Sequence, residues 1–440
     1  MDSSLIDKTI LLITYTDQSH GVLGQKGNPL LRIHYDLDEN WYSALCQIFS
    51  GVLRYDLGPR TNHLGIVGAN KEIVKIAEMY RPKYVYWFAD MLEITGDTCM
   101  ALRKIGCVVI GRFHDDDHLF DSRSKWRIPY LDYCITNVNE RVAQYEALGA
   151  RCISLPIEGH NEAIWQRLPH IPKQFDVSFV GDVYPFRQRQ VTSLQELGVA
   201  VDVFNCNWGT NMLPLTDLVR IVNATKINIG LTEARFVPGL KQIKGRPFEI
   251  TLSGGFLLTE YAPGLEKYFE IGKEIVCFET IEDAAAKIRY YLQHSNEREA
   301  IAERGYRRAC RDYTAKALFQ GLFSQIEDDL TKRGRPAFMA EPTATAATKT
   351  NPLNQEIAER YYKWGKLLFN VRNPLRNAWR ETIEVAIKHD PYHRRAHLAL
   401  TTHGKWWYIE DTINRFFMLA SFIKRKVLRL LAKTNLRVTR

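Results

Sequence analysis

The sequence lacks the features of a membrane-spanning or disulfide-bonded protein. No window of the 440 residues holds the roughly 20 apolar residues that a membrane-spanning helix needs. The first residues, MDSSLIDKTILLITYTD, enter a strand-like run with no basic segment or cleavage site, which argues against a signal peptide. The eight cysteines are scattered and form no C-x-x-C pair, a pattern typical of buried thiols in a reducing compartment. We therefore expect a cytoplasmic protein.

Most of the chain has almost no net positive charge. The formal net charge is +9, but residues 411–440 hold eight Lys or Arg and one Asp, so this segment alone carries +7 and the rest only +2. A nucleic-acid-binding protein is expected to show a basic face on its folded body. We therefore expect no nucleic-acid partner.

Short apolar runs alternate with helical patterns over about the first 325 residues. This rhythm is typical of parallel sheets with helices on both faces. Between two such sets, PIEGHNEAIWQRLPHIPKQ is rich in proline and polar residues and suits an interdomain linker. The prediction is an α/β protein of two Rossmann-like, doubly wound domains, 1–158 and 172–330, which face each other across a cleft. Strands are predicted at 9–16, 84–88, 107–113, 133–136, 152–156, 175–182, 199–205, 226–231, 255–259 and 274–278.

The C-terminal part has a different composition. Residues 331–353 are rich in Ala, Thr and Pro and predict a flexible linker. Residues 354–410 predict two or three helices whose Tyr, Trp, Gly and Asp-Pro order resembles one degenerate tetratricopeptide unit.

Residues 411–440 predict a basic amphipathic helix. An apolar stripe that includes Phe416, Phe417 and Ile423 lies opposite most of the cations. This pattern favours an interfacial anchor on an anionic membrane surface. The alternative is a helix that packs on the protein body with its cations in water.

The stretch KGRPFEITLSGGFLLT, residues 244–259, mixes charged residues with an apolar run. PFEITLS predicts a helix, with Pro247 in the first turn. Lys244 and Arg246 beside a helix N-terminus favour an anion site, because free N–H groups and cations act together. Glu249 either favours its own helix or accepts hydrogen bonds from the hydroxyls of a ligand.

Four blocks in the second half carry a resemblance. They are VSFVGDVYPFRQRQVTSLQELG, KINIGL, RPFEITLSGGFLLTEYAPGLEKYFEIGKEIVCFETIEDAAAKIRYYL and EREAIAERGYRRACRDYT. From about Asp176 to Ile326 the chain resembles the sugar-nucleotide-binding half of group 1 glycosyltransferases, with the CgeB-like branch most similar. The first 150 residues resemble the acceptor half only in their alternation of strand-like and helical segments. The resemblance implies the GT-B fold, two Rossmann-like domains, here with an α-helical C-terminal region.

The resemblance also implies a donor site. Glu249 matches the carboxylate that binds the ribose hydroxyls, and Lys244 and Arg246 fall where cations meet the diphosphate. Gly181 and Arg187 match the loop that approaches the donor phosphates, although Arg187 could also be an ordinary solvated arginine. Two adjacent glycines would let the backbone approach the nucleotide or a neighbouring strand: Gly254 and Gly255.

One departure from the family pattern leaves the stereochemistry open. Many group 1 enzymes carry a second glutamate about two helical turns upstream, where this chain has Lys241, and the nearest earlier acid is Glu233. Retention or inversion at the anomeric carbon is therefore not predicted. The departure also keeps a catalytically silent scaffold as an alternative, and a nucleotide-sugar epimerase is another.

Two segments of the first half offer further candidates. Asp17 and His20, in the loop TYTDQSHG, are candidates for the catalytic base. His114 and Asp115, in RFHDDDHLFD, are candidates for contact with the acceptor. The same cluster, with His118, could instead bind a divalent metal or begin a helix.

The combined prediction is a glycosyltransferase of the hexosyltransferase class. It would move a sugar from a nucleotide donor to a glycan, lipid-linked or protein acceptor, in cell-surface polysaccharide or glycoconjugate synthesis. We expect neither a metal nor a cofactor, because fixed cations and helix dipoles can stabilise the leaving diphosphate. The expected location is the cytoplasm, with peripheral attachment to the inner face of the membrane through residues 411–440.

Overall fold

The computed structural model describes most of the chain, and the description below is confined to that part. Asp17, His20 and residues 415–440 of the predicted amphipathic helix lie outside the described residues. The described residues are 6–14, 38–89, 91–156, 159–181, 184–205, 213–234, 237–339, 351–370, 378–391, 393–407 and 409–414.

The first domain contains a six-stranded parallel sheet. Its strand order is β2-β1-β3-β4-β5-β6. The strands are β1 (Ile6–Thr14), β2 (Phe49–Asp56), β3 (Tyr84–Phe88), β4 (Val108–Phe113), β5 (Tyr133–Thr136) and β6 (Cys152–Ser154). The longer helices are α1 (Leu57–Tyr80), α2 (Gly96–Ile105) and α3 (Val142–Ala147), with short helical turns at Ser43–Cys46, Asp116–Leu119, Phe120–Ser124 and Lys125–Arg127.

The second domain contains a five-stranded parallel sheet. Its order is β11-β10-β9-β7-β8. The strands are β7 (Phe175–Gly181), β8 (Asp202–Asn205), β9 (Thr225–Gly230), β10 (Leu257–Glu260) and β11 (Val276–Phe278). The helices are α4 (Pro185–Glu196), α5 (Leu215–Ala224), α6 (Arg246–Leu252), α7 (Ile281–Gln293) and α8 (Ser295–Asp312).

Both sheets place their first strand between their second and third strands. The strand order therefore reverses between β1 and β3 in one sheet and between β7 and β9 in the other. Ligands of open α/β sheets bind at such switch points, outside the carboxyl ends of the strands. Two parallel Rossmann-like sheets, together with C-terminal helices, confirm the predicted fold class.

The chain returns to the first domain through α9 (Ala315–Arg333). This helix begins after Thr314, whose side chain accepts a hydrogen bond from the Ala317 amide. Its Phe323 ring lies 4.7 Å from that of Phe49, and its Phe319 ring lies 5.3 Å from that of Tyr86. The apolar face of α9, in a range that the sequence predicts for the second domain, thus completes the core of the first.

The C-terminal helices share that same core. They are α10 (Pro352–Asn370), α11 (Trp379–His389) and α12 (Arg394–Thr401), and the buried Tyr361, Trp364 and Trp407 join the first domain's cluster. Gly365 lets α10 and α11 approach, because a Cβ there would lie 2.5 Å from Ile383. None of the described helices is both long and apolar enough to cross a membrane.

The start of the predicted flexible linker is attached to the first domain. The buried Arg103 donates to the carbonyl oxygens of Pro336 and Ala337, both at 3.2 Å. Its guanidinium also lies 4.4 Å from the centre of the Phe338 ring. Residues 334–339 are therefore ordered on the protein surface, and a flexible role remains a prediction only for the part of the linker beyond them.

Candidate donor and acceptor site

Arg187 lies at the strand switch point of the second sheet. Gly181 ends β7, and Arg187 is in the first turn of α4, which has Pro185 at its first position. The Arg187 Nη2 donates to the Leu231 carbonyl, just after β9, at 3.0 Å. Its guanidinium lies 4.6 Å from the centre of the Tyr184 ring. Arg187 is buried, so the alternative of an ordinary solvated arginine is wrong.

Glu249 and Arg246 form an ion pair in the first turn of α6. The predicted helix is confirmed, and Glu249 is 7% exposed. Burial raises the pKa of Glu249, and the charge of Arg246 opposes that rise. A Cβ at Gly245 would lie 3.0 Å from the Glu249 Oε1, so the missing side chain makes room for the carboxylate. No side chain caps this helix by a hydrogen bond, so Glu249 is paired with a cation and is not a cap.

Packing within the second domain explains why a glycine is needed at both Gly254 and Gly255. Gly254 follows α6 with φ of +72°, and a Cβ there would lie 2.5 Å from the Arg167 Nε. A Cβ on Gly255 would lie 2.9 Å from the Asn228 Nδ2, on the neighbouring β9. These contacts account for both glycines, and their contact with a donor stays a prediction.

Glu260 is a further candidate residue, which the sequence patterns above do not indicate. It ends β10 and is buried, and it accepts hydrogen bonds from the Thr232 amide at 3.0 Å and the Thr232 hydroxyl at 2.9 Å. Lys241 lies 3.3 Å from its Oε1. Lys241, at the position where the resemblance would place a second glutamate, thus faces the carboxylate at the end of β10. The available signal was an acid directly after the apolar run FLLT.

His114 and Asp115 lie at the carboxyl end of β4, on the first domain. The buried His114 accepts a hydrogen bond from the Arg112 Nε at 3.2 Å, and its ring lies 4.7 Å from that of Phe88. Asp115 has φ of +55°, in the left-handed region that non-glycine residues rarely adopt. Such strain occurs preferentially at functional sites.

Asp116 belongs to the interior of the first domain. Its Oδ2 accepts hydrogen bonds from the Thr136 hydroxyl at 2.6 Å and the Tyr145 hydroxyl at 2.8 Å, and its Oδ1 accepts one from Ser124. Burial raises the pKa of Asp116, and these hydrogen bonds oppose the rise. Within the described ranges, no three His, Cys, Asp or Glu side chains come together as a metal site. The acidic run instead begins a short helix, with Asp116 inward.

Gln242 connects the two edges of the cleft. From the second domain its Nε2 donates to the Asp115 Oδ1 at 3.1 Å and the Asp117 Oδ1 at 2.8 Å. Its Oε1 accepts a hydrogen bond from the Lys244 ammonium. Burial lowers the pKa of Lys244, although the nearby Asp115 opposes that shift and Arg187 adds to it. One buried amide therefore joins the predicted acceptor-side acids to a predicted donor-side cation.

A comparison with protein families matches part of the chain. Residues 162–324 match the family model described as glycosyl transferase-like. The matched range contains the second sheet and all the predicted donor residues, and it does not reach the first sheet. The predicted resemblance is thus confirmed at the level of a glycosyl transferase-like domain, and the CgeB-like branch stays a prediction. A comparison with curated proteins finds no match.

A comparison with solved structures finds matches that cover about three quarters of this chain. HepE of Anabaena in complex with UDP has 13% identity and a TM-score of 0.46, over 73% of this chain and 100% of its own. Sucrose-phosphate synthase from Thermosynechococcus elongatus has 12% identity and a TM-score of 0.48, over 73% and 99%. A glycosyltransferase from Rickettsia africae has 12% identity and a TM-score of 0.47, over 74% and 99%. At this level of similarity, none of their chemistry transfers to this chain.

Proposed function

We propose that the protein is a nucleotide-sugar-dependent glycosyltransferase that binds its donor on the second domain. The observation that carries the proposal is the glycosyl transferase-like match over residues 162–324. Within that range, the switch point between β7 and β9 is lined by a buried arginine, and a half-buried lysine lies near it. Ligands of open α/β sheets bind at such points.

Three cations would stabilise the leaving diphosphate. Arg187 is held against the end of β9, while Lys244 and Arg246 flank the start of α6. Cations fixed in place before the reaction need no rearrangement as negative charge develops, and partial burial strengthens their effect. We therefore propose transfer without a bound metal.

Glu249 would hold the ribose of the donor. Arg246 donates to its Oε2, which leaves Oε1, beside Gly245, as the proposed acceptor of ribose hydroxyl hydrogen bonds. A carboxylate is suited to this role because it accepts several hydrogen bonds and donates none. Because the carboxylate is buried, its affinity for the hydroxyls would be little weakened by competing water.

The acceptor would bind against the first domain. His114 and Asp115 lie at the end of β4, across the cleft from Lys244, and Asp117 lies 2.8 Å from the His118 Nδ1. An Asp–His pair of this kind can take a proton from an acceptor hydroxyl. Asp17 and His20 remain predicted bases as well. We propose a glycan, lipid-linked or protein acceptor in cell-surface polysaccharide or glycoconjugate synthesis.

We propose that residues 411–440 attach the protein to the inner face of the cytoplasmic membrane. Each Lys or Arg near an anionic surface contributes about 1 kcal/mol, so the five cations between Lys424 and Lys433 would contribute about 5 kcal/mol. Deleting residues 415–440 should release the protein from anionic vesicles and leave its melting temperature unchanged. A truncated protein that unfolds, or that still pellets with vesicles as the full chain does, would show that the segment packs on the body.

A panel of nucleotide sugars tests the enzymatic proposal. A donor at 100 times its dissociation constant adds about 2.7 kcal/mol to stability, which differential scanning fluorimetry detects as a rise in melting temperature. The stabilising nucleotide sugar is then incubated with candidate acceptors, and the products are separated. Net sugar transfer supports the proposal, conversion of the free donor identifies an epimerase, and no stabilisation by any member indicates a catalytically silent scaffold.

A further inference from the structure

We infer that the C-terminal helices are a working part of the acceptor half, in which α10 holds the loop Met91–Thr95 at the cleft edge of the first sheet. The inference rests on the proposed function and assigns a role to a region outside the glycosyl transferase-like match. The residues that carry it are Tyr361, Arg360 and Glu356, which act on the cleft through other residues and are therefore positioning residues.

The loop begins beside the predicted acceptor contact. It follows β3, whose last residue, Phe88, lies with its ring 4.7 Å from that of His114. The Ala89 amide, directly after β3, donates to the Arg112 carbonyl at 2.7 Å, which ties the chain just before the loop to the end of β4. Because β3 borders the switch point of the first sheet, this loop stands where a ligand of the first domain would bind.

Tyr361 of α10 closes a buried hydrogen-bond network around Glu93 in this loop. Its hydroxyl donates to the Glu93 carbonyl at 2.8 Å, and the Asn70 Nδ2, from α1, donates to the same oxygen at 2.8 Å. The Asn70 Oδ1 accepts a hydrogen bond from the Thr98 hydroxyl at 2.6 Å. Such a network is costly to leave half satisfied, so it fixes the loop in one conformation.

The side chain of Glu93 is held by α10 as well. It is 4% exposed, and the Arg360 Nε lies 3.6 Å from its Oε1. Burial raises the pKa of Glu93, and the charges of Arg360 and Arg127 oppose the rise. Arg127 also donates to the carbonyls of Ile94 at 2.6 Å and Met91 at 3.0 Å.

The same helix holds a second segment at the cleft edge. Glu356 accepts two hydrogen bonds from Arg123, one of them from Nε at 2.9 Å. Arg123 lies in the helical turn Phe120–Ser124, directly after the acidic run that contains Asp115. A two-bond arginine–carboxylate pair fixes direction as well as distance. One helix therefore positions the segments that follow both β3 and β4.

One ion pair joins the C-terminal helices to the first domain away from the loop. Lys71 of α1 pairs with Glu381 of α11, and both side chains are largely exposed. This ion pair joins the helices to the first domain without touching the loop. Glu381→Gln is therefore a matched control, because it weakens the attachment and leaves the loop contacts in place.

Steady-state kinetics of the full chain tests the inference. The donor is the nucleotide sugar that stabilises the wild type most, and octyl glucoside is the probe acceptor. Tyr361→Phe removes one hydroxyl, so we expect the acceptor KM to rise by about fivefold or more, as for one buried hydrogen bond, while the donor KM stays within about twofold. Glu356→Gln should act in the same direction, and it serves as the second variant if Tyr361→Phe folds poorly. Glu381→Gln should change neither constant.

Hydrogen exchange of the same variants gives an independent readout. Peptides that contain residues 91–95 should exchange faster in Tyr361→Phe and at the wild-type rate in Glu381→Gln. An unchanged acceptor KM in both Tyr361→Phe and Glu356→Gln, or an equal rise of both KM values, would overturn the inference. A wild type that binds no nucleotide sugar would instead count against the proposed function.

Discussion

The two edges of the cleft are built from different kinds of chain segment. The donor edge is local: most of its candidate residues lie between Leu231 and Glu260, and Arg187 joins them from α4. The proposed acceptor edge contains the ends of β3 and β4 together with α10, and Tyr361 is 268 residues from its partner Glu93. A locally encoded edge can be recognised in the sequence, whereas an edge assembled by tertiary contacts needs the structure.

Replacement of Glu249 tests the donor edge and should have the largest effect. Because a charged hydrogen-bond acceptor is lost, Glu249→Ala should weaken binding of the nucleotide of the stabilising donor by about 1.5–3 kcal/mol, as isothermal titration calorimetry would measure. Glu266→Gln, on the second-domain surface, is the control. If a folded Glu249→Ala protein binds that nucleotide as the wild type does, Glu249 serves only its own helix.

Replacement of Gln242 tests the bond between the two edges. Gln242→Glu would place a third carboxylate against Asp115 and Asp117 in place of two hydrogen bonds. We expect kcat/KM to fall by about tenfold or more, because like charges would repel each other where hydrogen bonds now join the two domains. Gln242→Met removes the hydrogen bonds without adding charge, so its loss should be smaller. Equal activity of the Glu and Met variants would argue against the electrostatic part of this explanation.

Stability in acid tests the packing of α10 against the start of α12 within the C-terminal helices. Burial favours a higher pKa for Glu359, but His393 and Arg395 outweigh it and lower that pKa to about 2. A lowered folded-state pKa stabilises the protein fully above the ordinary Glu value and loses this effect as the pH falls toward 2. Glu359→Gln should therefore lower the free energy of unfolding most near pH 7 and less below about pH 4.5. Urea unfolding of the variant and the wild type at each pH measures this difference. Glu384→Gln, at an exposed glutamate of α11, is measured alongside as the control variant.

Removal of metal ions should have the smallest effect on either edge. Because Arg187, Lys244 and Arg246 provide the positive charge in our proposal, activity should survive EDTA. Loss of activity that Mg²⁺ or Mn²⁺ restores would contradict the proposal, and Asp115 and Asp117 would become ligand candidates.

Strands were predicted best from the sequence where the apolar run is uninterrupted. YVYWF and YCIT were predicted with the bounds that β3 and β5 have. FSGVLRYD, which forms β2, was missed because glycine, arginine and aspartate interrupt its apolar pattern. It forms a strand because β1 supplies hydrogen-bond partners along its length, and that information lies outside the segment itself.

In the candidate site too, residues whose partners are distant in the chain could not be predicted from the local sequence. The helix that carries Glu249 was predicted from Pro247 and the following glycines, since these signals are adjacent in the chain. Gln242 was missed, because its two acidic partners lie on the other domain. The aromatic residues of α10 predicted a helix but could not show that it packs on the loop after β3.

The shared core of α9–α12 and the first sheet has a consequence for synthesis on the ribosome. The buried residues of the first domain's core extend from Ile10 to Trp407, whereas those of the second domain lie between Trp165 and Tyr313. Although domains usually fold in the order of their synthesis, the one made first here lacks part of its core until almost the whole chain has emerged. The second domain is complete much earlier, so the nascent chain should acquire its donor half before its acceptor half.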